Sequence, residues 1–139
     1  VAVSGMGTST ILHILNNIVK LVNVIKLILQ SNNYLDTLRE EVTKLGYQLT
    51  DEITVNDNNI WYVICLFKKN ENPKLDDITR KYGLLKKDKQ DYYEYVINSK
   101  KDILKKLEKS HDLTLKEQLK TEIMELTKLL EKCRIISTD

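Results

Sequence analysis

The first seven residues, Val1–Gly7, constrain the fold of this 139-residue chain more than any other segment. They form a short apolar run that ends in Gly-x-Gly, and an apolar helical pattern follows them. This arrangement is typical of a buried parallel strand that leads into a tight, ligand-facing turn. Because such a strand needs neighbours on both sides and the chain starts with this one, we expect an incomplete or processed α/β domain.

The rest of the N-terminal half alternates helix and strand patterns. Asn33 is placed to cap a helix that Gly46 then ends. The turn-forming run Asp57-Asn58-Asn59 predicts that the strands on either side of it pair antiparallel. The elements expected after the first strand are a helix over 9–17, a strand over 24–30, the helix between Asn33 and Gly46, and strands over 47–55 and 60–67.

The strand over 60–67 is apolar on both faces. This composition predicts a central strand that is covered on both sides. We therefore expect a parallel, doubly wound sheet that finishes with one reversed strand inserted among the others.

The C-terminal part has a different, helical character. A polar segment over 68–73 holds the only proline, and a break over 109–112 separates two long helical patterns. Apolar residues recur there at steps of three and four, which is typical of a coiled-coil seam. Thr114 and Glu117 form a capping box that is expected to start the second helix. The seam positions are Tyr93, Val96, Lys100, Ile103 and Leu107 in the first helix, and Leu119, Ile123, Leu126, Leu130 and Cys133 in the second. We therefore predict an α/β part over 1–70, a linker with a short helix over 71–87, and an antiparallel coiled-coil hairpin over 88–139.

Composition limits the classes of protein that fit. A hydrophobic fraction of 42% and a charged fraction of 30% are those of a globular protein. The sequence contains neither an apolar stretch of membrane-spanning length nor a signal-peptide pattern, so we expect no membrane association and a cytoplasmic location. Cys65 and Cys133 have no histidine at a zinc-like spacing. We expect two buried free thiols and no metal.

Positive charge is concentrated in one segment. Between Lys74 and Lys109, eleven basic residues face seven acidic ones, whereas residues 1–70 contain six of each. A basic stretch beside a neutral core suggests a surface that faces a polyanion. A merely solvated helix face is the alternative.

Two short segments could carry chemistry. Gly5 and Gly7 at a strand-to-helix turn would let the backbone approach a ligand closely. They do not complete a dinucleotide fingerprint, because Thr10 replaces the third glycine and no acidic residue ends the next strand. Gln30 and Asn32 follow the second strand, at the edge where open α/β sheets bind ligands. For both segments a purely structural turn or cap remains the alternative.

Taken together, the motifs resemble the TrmK family of bacterial tRNA (adenine-N1)-methyltransferases. The resemblance rests on Gly-Met-Gly at 5–7, Leu-Ile-Leu-Gln-x-Asn at 27–32, Leu-Arg at 38–39, Gly-Tyr at 46–47, Asp-Glu at 51–52, Tyr-Val-Ile at 62–64 and Tyr-Gly at 82–83. It implies a partial Rossmann-like class I methyltransferase sheet, from the fourth strand onward and ending in an antiparallel hairpin, followed by an α-helical coiled-coil hairpin. The chain departs from the family pattern at Thr8, Ser31 and Leu84, where the family usually has Gly, Pro and Pro.

The resemblance also implies a reaction and its participants. S-adenosylmethionine would methylate N1 of a D-arm adenine in tRNA, with the base extruded from its stack. The implied catalytic residues are Ser4, Gly5, Met6, Gln30 and Asn32, and the implied cofactor-binding residues are Ser4, Gly5, Met6 and Gly7. The implied tRNA-binding residues are Arg39, Arg80, Lys81, Lys86, Lys87, Lys89, Lys100, Lys101, Lys105 and Lys106. Because the family's first three strands and their cofactor loop have no counterpart here, we expect the isolated chain to be inactive.

Other interpretations remain open. A non-catalytic module could use the basic hairpin to bind RNA or a protein. A nucleotide-binding regulatory domain built on Gly5 and Gly7 is disfavoured by the incomplete fingerprint. Tyr92 and Tyr95 could stack on bases, whereas Tyr93 fits the helical seam better. The oligomeric state stays open, although an exposed first strand could pair with a second copy.

Overall fold

The computed structural model describes residues 1–18 and 23–138. The chain divides into two compact units, Val1–Leu84 and Leu85–Asp139. This boundary falls inside the predicted linker. The elements of the first unit are β1 (Ala2–Met6), α1 (Thr8–Ile18), β2 (Lys26–Ser31), α2 (Leu35–Lys44), β3 (Tyr47–Asp57), β4 (Ile60–Lys69) and α3 (Asp77–Tyr82). Those of the second are a 3₁₀ turn (Lys87–Lys89), α4 (Gln90–Lys106) and α5 (Leu113–Thr138).

The first unit contains a mixed four-stranded sheet in the order β1-β2-β4-β3. β1 and β2 are parallel, and β4 is antiparallel to both of its neighbours, β2 and β3. Asn58 and Asn59 have φ values of 51° and 64° and close the β3–β4 hairpin in two residues. Asparagine tolerates this left-handed backbone, and such turns match the strand twist. The predicted reversed strand, inserted among the others, is confirmed.

One face of the sheet forms the core with α1 and α2. Leu27 and Leu29 of β2 are fully buried, as are Ile11 of α1 and Leu38 of α2. Helical spacing puts the apolar residues of each helix on one side, and strand alternation puts those of β2 on one face. Each such side chain contributes roughly 1.5–3 kcal/mol when it is fully buried.

The opposite face of the sheet is open among the described residues. Ile28 of β2 is 46% exposed and Ile53 of β3 is 41% exposed. Within β4, Val63 and Cys65 are buried, whereas Ile64 between them is half-buried. The prediction that β4 is covered on both sides is therefore wrong for the described residues, although its central position is confirmed. An apolar strand face can be buried only if another element packs on it, and the described helices pack on one face of the sheet.

The second unit is an antiparallel helical hairpin. Lys100 pairs with Glu122 at 2.7 Å, and Arg134 pairs with Glu94 at 3.1 Å. From α5, the buried residues include Leu119, Leu126, Leu130 and Cys133, as the seam predicts. No described helix is long and apolar enough to cross a membrane.

The first helix of the hairpin is rotated relative to the prediction. Tyr93 and Ile97 are its buried residues, and the predicted seam residue Ile103 is 47% exposed. The residue that follows Tyr93 on the buried side of α4 is Ile97, four positions on, and not Val96. Further along the helix, Leu104 is correspondingly more buried than Ile103. The predicted Thr114 cap is also wrong, because Asp112 accepts the hydrogen bond from the Leu115 amide at 3.0 Å.

Candidate functional site

Two loops lie side by side at the carboxyl ends of β1 and β2. The first, residues 4–8, comprises the end of β1, Gly7 and the first residue of α1, and the second, residues 30–34, comprises the end of β2 and its connection to α2. Since β1 and β2 are parallel, both loops leave the sheet at the same edge. The Asn32 amide donates to the Met6 carbonyl at 2.9 Å, so the backbone pairing continues beyond the strands.

Gln30 links the two loops through its side chain. Its Oε1 accepts a hydrogen bond from the Gly5 amide at 2.8 Å, and its Nε2 donates to Asn32 Oδ1 at 3.1 Å. One amide therefore orients both the glycine loop and Asn32. The structure brings the predicted residues Gly5, Gln30 and Asn32 together.

The two glycines of the first loop differ in their surroundings. Gly5 has φ +77°, and a Cβ added there would meet no atom within 4 Å. At Gly7 an added Cβ would lie 3.3 Å from the side chain of Asn33. Gly5 therefore turns its backbone toward open space, and this is the geometry in which a ligand can pack against the peptide. Ser4 and Met6 beside it are exposed.

Thr8 and Ser31 fasten the two loops from the protein side. Thr8 Oγ1 lies 2.7 Å from Ser31 Oγ and donates to the Asn33 carbonyl at 2.6 Å. Thr8 is 2% exposed and Ser31 6%. A buried pair of hydroxyls therefore holds the two loops together at these positions.

Asn33 acts on a different helix from the predicted one. Its Oδ1 accepts from the Thr8 amide at 2.9 Å and so caps the start of α1. The residue before α2 is Tyr34, with φ 47° and no side-chain cap. The predicted Asn33 cap of α2 is therefore wrong. The first residues of α1 and α2 lie close together, and the Asn33 side chain caps α1 instead of α2.

A shallow groove extends from these loops over the open face of the sheet. Its volume is about 530 Å³. Its lining is mostly apolar, from Ile28, Tyr62 and Ile64, with Ser4 and Gln30 at one end. The two loops over 4–8 and 30–34 contain hydroxyl, amide and backbone groups but no Asp, Glu, His, Lys or Arg. The loops can therefore bind and orient a ligand, and the titratable side chains that line the groove are Asp57 and Tyr62.

Two of the predicted tRNA contacts are buried. Arg39 is 1% exposed, and its guanidinium forms two hydrogen bonds to the Glu52 carboxylate, at 2.9 and 3.0 Å. Lys89 is 0% exposed, and its Nζ lies 5.0 Å from the ring centroid of Tyr93. Both cations are enclosed in this structure, so a direct contact with a tRNA phosphate would require each of them to leave its present partners. Tyr93 is buried, as its place in the seam predicts.

Three of the other predicted cations form ion pairs with acidic side chains. Arg80 and Lys81 pair with Asp77 at 2.7 and 3.5 Å, and Lys100 pairs with Glu122. The hydrogen bond from Arg80 lowers the pKa of Asp77, so this acid stays charged and offsets the positive charge beside it. Lys86 is half-buried, and the remaining residues of the predicted set are exposed; these are Lys87, Lys101, Lys105 and Lys106.

Lys116 was missed in the sequence. It lies with Lys101, Lys105 and Glu108 around a groove of about 410 Å³ near the tip of the hairpin. Its Nζ donates to the Ser110 carbonyl at 2.6 Å. No motif marks Lys116. Its position in the first turn of α5 brings it beside the end of α4 only when the two helices fold back on each other.

The two cysteines are separate, buried thiols. Among residues 1–18 and 23–138, no group of three His, Cys, Asp or Glu side chains is arranged to hold a metal ion. Cys65 and Cys133 are free and fully buried, as predicted. Burial raises the pKa of the Cys133 thiol.

The sequence of the chain matches the model of one protein family. The sequence model of TrmK, tRNA (adenine(22)-N(1))-methyltransferase, matches residues 1–134. No curated protein matches the chain in a sequence search.

Solved structures share the fold. Sp1610 of Streptococcus pneumoniae is 24% identical with a TM-score of 0.80, and the match covers 93% of this chain and 60% of that protein. A Streptococcus agalactiae protein of the NADB-Rossmann superfamily is 23% identical with a TM-score of 0.77, covering 93% and 58%. TrmK of M. capricolum, solved with S-adenosyl-homocysteine, is 20% identical with a TM-score of 0.75, covering 94% and 58%. The chain thus spans less than two thirds of each of these proteins, and it belongs to the TrmK family of tRNA (adenine(22)-N(1))-methyltransferases.

Proposed function

We propose that this chain supplies one wall of the active site for methylation of adenine N1 at tRNA position 22, with S-adenosylmethionine as methyl donor. Family membership supports the reaction. The M. capricolum TrmK structure contains S-adenosyl-homocysteine, and a Streptococcus pneumoniae relative is solved with S-adenosyl-L-methionine. The observation that carries the proposal for this chain is the Gln30–Gly5 link beneath open space.

The residues of the first loop fit a cofactor that packs against backbone. Gly5 offers a side-chain-free surface, and Ser4 and Met6 flank it in exposed positions. We assign Ser4, Gly5, Met6 and Gly7 to cofactor contact. When bound, S-adenosylmethionine supplies an electrophilic methyl group.

The residues of the second loop suit the target base. Adenine N1 already carries a lone pair, so the absence of Asp, Glu, His, Lys and Arg from the two loops is compatible with the reaction. Asn32 is exposed and presents an amide that can meet a base edge. Gln30 is hydrogen-bonded to both Gly5 and Asn32, so it would fix the position of the methyl donor at Gly5 relative to that of the adenine at Asn32. Catalysis by these residues rests on positioning, which can supply several kcal/mol of barrier lowering.

The exposed lysines of the helical unit are proposed to meet tRNA phosphates. They are Lys87, Lys101, Lys105 and Lys106, and half-buried Lys116 lies beside two of them in the groove near the hairpin tip. Lys86, Lys100, Arg80 and Lys81 would need to rearrange or leave an acidic partner. We also propose that the two helices pack as a coiled coil, and that the protein acts in the cytoplasm.

We propose that the 139 residues alone do not methylate tRNA. The chain spans about 60% of the length of its solved relatives. The open face of the sheet and the edge of β1 would be covered in the complete catalytic unit. The match to only part of the relatives and the exposed apolar face support this proposal.

A chimera tests the proposed function. In M. capricolum TrmK, the segment that this chain matches is replaced by this chain, and methyl transfer to tRNA is measured with tritiated S-adenosylmethionine. We expect incorporation by the chimera, none by the 139 residues alone, and none into tRNA whose adenine 22 is replaced by guanine. A folded chimera that binds tRNA but does not methylate it would contradict the proposal, and so would methylation by the isolated chain. The parent TrmK is the positive control.

The exposed lysines also support a second candidate, a non-catalytic RNA-binding module. Both candidates predict tRNA binding that weakens steeply with salt, because phosphate contacts release counterions. Only the enzyme predicts methyl transfer by the chimera. Salt-dependent binding together with an inactive, folded chimera would favour the module.

A further inference from the structure

Three motif fragments that have no role in the proposed reaction meet at one buried point. Arg39 comes from α2, Glu52 from β3, and Gly83 follows α3. Arg39 and Glu52 are 1% and 0% exposed. Their paired hydrogen bonds form a fork in which both carboxylate oxygens are used.

The ion pair also binds the segment that leaves α3. Arg39 Nη1 donates to the Arg80 and Lys81 carbonyls, at 3.0 and 3.3 Å. Glu52 Oε2 accepts from the Leu84 amide at 3.2 Å. A cation at the carboxyl end of a helix complements the helix dipole, so the position of Arg39 favours α3.

Gly83 is the position at which this cluster tolerates no side chain. Its φ is +81°, and an added Cβ would overlap Glu52 Oε1 and lie 2.7 Å from Arg39 Nη2. The chain therefore passes directly over the ion pair. α3 has only six residues, too few to be stable by itself.

We infer that the Arg39–Glu52 pair is an anchor that holds α3 and Gly83–Leu84 on the α/β unit as a segment that opens independently of the sheet. Arg39 thereby becomes a positioning residue instead of a phosphate contact. It fixes the last residues of the first unit, Arg80–Leu84, before the chain continues into the helical unit.

Amide hydrogen exchange, followed residue by residue on the 139-residue chain, tests the anchor. The variant Arg39→Lys keeps the charge but loses the fork that reaches Glu52 and the two carbonyls together. We expect exchange of the Leu84 amide, and of the Arg80 and Gly83 amides that close α3, to rise about tenfold or more. Exchange in β4 should stay within about threefold of the unmodified chain. Gly83→Ala should act in the same way, because it displaces the segment without removing either charge.

Lys44→Met is the matched control. It removes an exposed ion pair with Glu41, at 3.2 Å, on the same helix as Arg39, and it should leave exchange in α3 unchanged. The anchor is refuted if neither Arg39→Lys nor Gly83→Ala raises exchange at Leu84. It is equally refuted if exchange in β4 rises by the same factor as in α3, since the pair would then act only on the global stability of the unit.

Discussion

The hydroxyl pair of Thr8 and Ser31 provides a quantitative test of how the two site loops are held together. Thr8 is 2% exposed, and Thr8→Val removes its hydroxyl, which donates to the Asn33 carbonyl at 2.6 Å. Loss of a buried hydrogen bond that leaves its partner less well satisfied costs about 1–3 kcal/mol. Ser31 Oγ lies 2.8 Å from the same carbonyl and can donate to it when Thr8 is replaced, so that oxygen keeps one partner. We therefore expect a cost near the lower end, about 1–2 kcal/mol.

The two hydroxyls contact each other, so their effects should not add. A double-mutant cycle of Thr8→Val, Ser31→Ala and the double variant should give a coupling of about 0.5–1.5 kcal/mol. Urea unfolding is followed by the fluorescence of Trp61, the only tryptophan, which lies in β4 and reports on the α/β unit. Thr37→Val, at an exposed position of α2, is the control for the valine substitution.

Two results would refute the reasoning. One is additivity of the two substitutions within about 0.3 kcal/mol, which would mean that the hydroxyls act independently. The other is a cost for Thr8→Val no larger than that for Thr37→Val. The slope of the free energy against urea should stay constant throughout, because the same surface is exposed on unfolding.

Tyr47 and the two cysteines are buried, and their burial has measurable consequences. Burial raises the pKa of Tyr47, whose hydroxyl donates to the Val24 carbonyl at 2.7 Å. Its neutral form is therefore favoured by folding, and the stability it contributes is complete below about pH 10, the unfolded pKa, and lost above it. As the pH is raised above about 10, the urea concentration at the unfolding midpoint should fall less in Tyr47→Phe than in the unmodified chain. An equal fall in the two proteins would contradict a role for Tyr47 ionisation. Cys65 and Cys133 are fully buried and burial raises the pKa of Cys133, so neither should react with a disulfide reagent near neutral pH until urea is added. Rapid reaction of either thiol in the native protein would show that its unit opens readily.

The parts of the fold set by local patterns could be predicted from the sequence. Strand β4 and the turn at Asn58–Asn59 follow from residue type and spacing, and so does the end of α2 at Gly46. The buried positions of α5 also follow from its periodicity. In each case the evidence lies within a few residues of the feature.

Features that depend on distant partners were not predicted. Asn33 caps α1 because Thr8, 25 residues away, lies beside it. Arg39 looked like a phosphate contact because nothing near it in the sequence shows that Glu52 and Gly83 enclose it. The inner row of α4 depends on packing against α5, and alternation alone did not show that one sheet face would stay open.

Of the site itself, the residue types were predicted and the connections between them were not. Gly5, Gln30 and Asn32 were expected to lie at one edge, and they do. The hydrogen bond from Gly5 to Gln30 and the fastening by Thr8 and Ser31 come from the register of β1 against β2, which only the folded chain defines.

Methyl transfer by the chimera carrying Gly5→Asn tests the central claim most directly. Asparagine tolerates a positive φ, so the loop keeps its shape while a side chain enters the open space above Gly5. Gly46→Asn is the matched control, because Gly46 also has a positive φ and an added Cβ would meet only the Asn70 carbonyl, at 3.8 Å. We expect Gly5→Asn to lower the rate of methylation of adenine 22 by about 100-fold or more, while Gly46→Asn stays within about threefold of the unmodified chimera. A Gly5→Asn chimera that methylates tRNA as fast as the Gly46→Asn chimera would contradict the assignment of this loop to the active site.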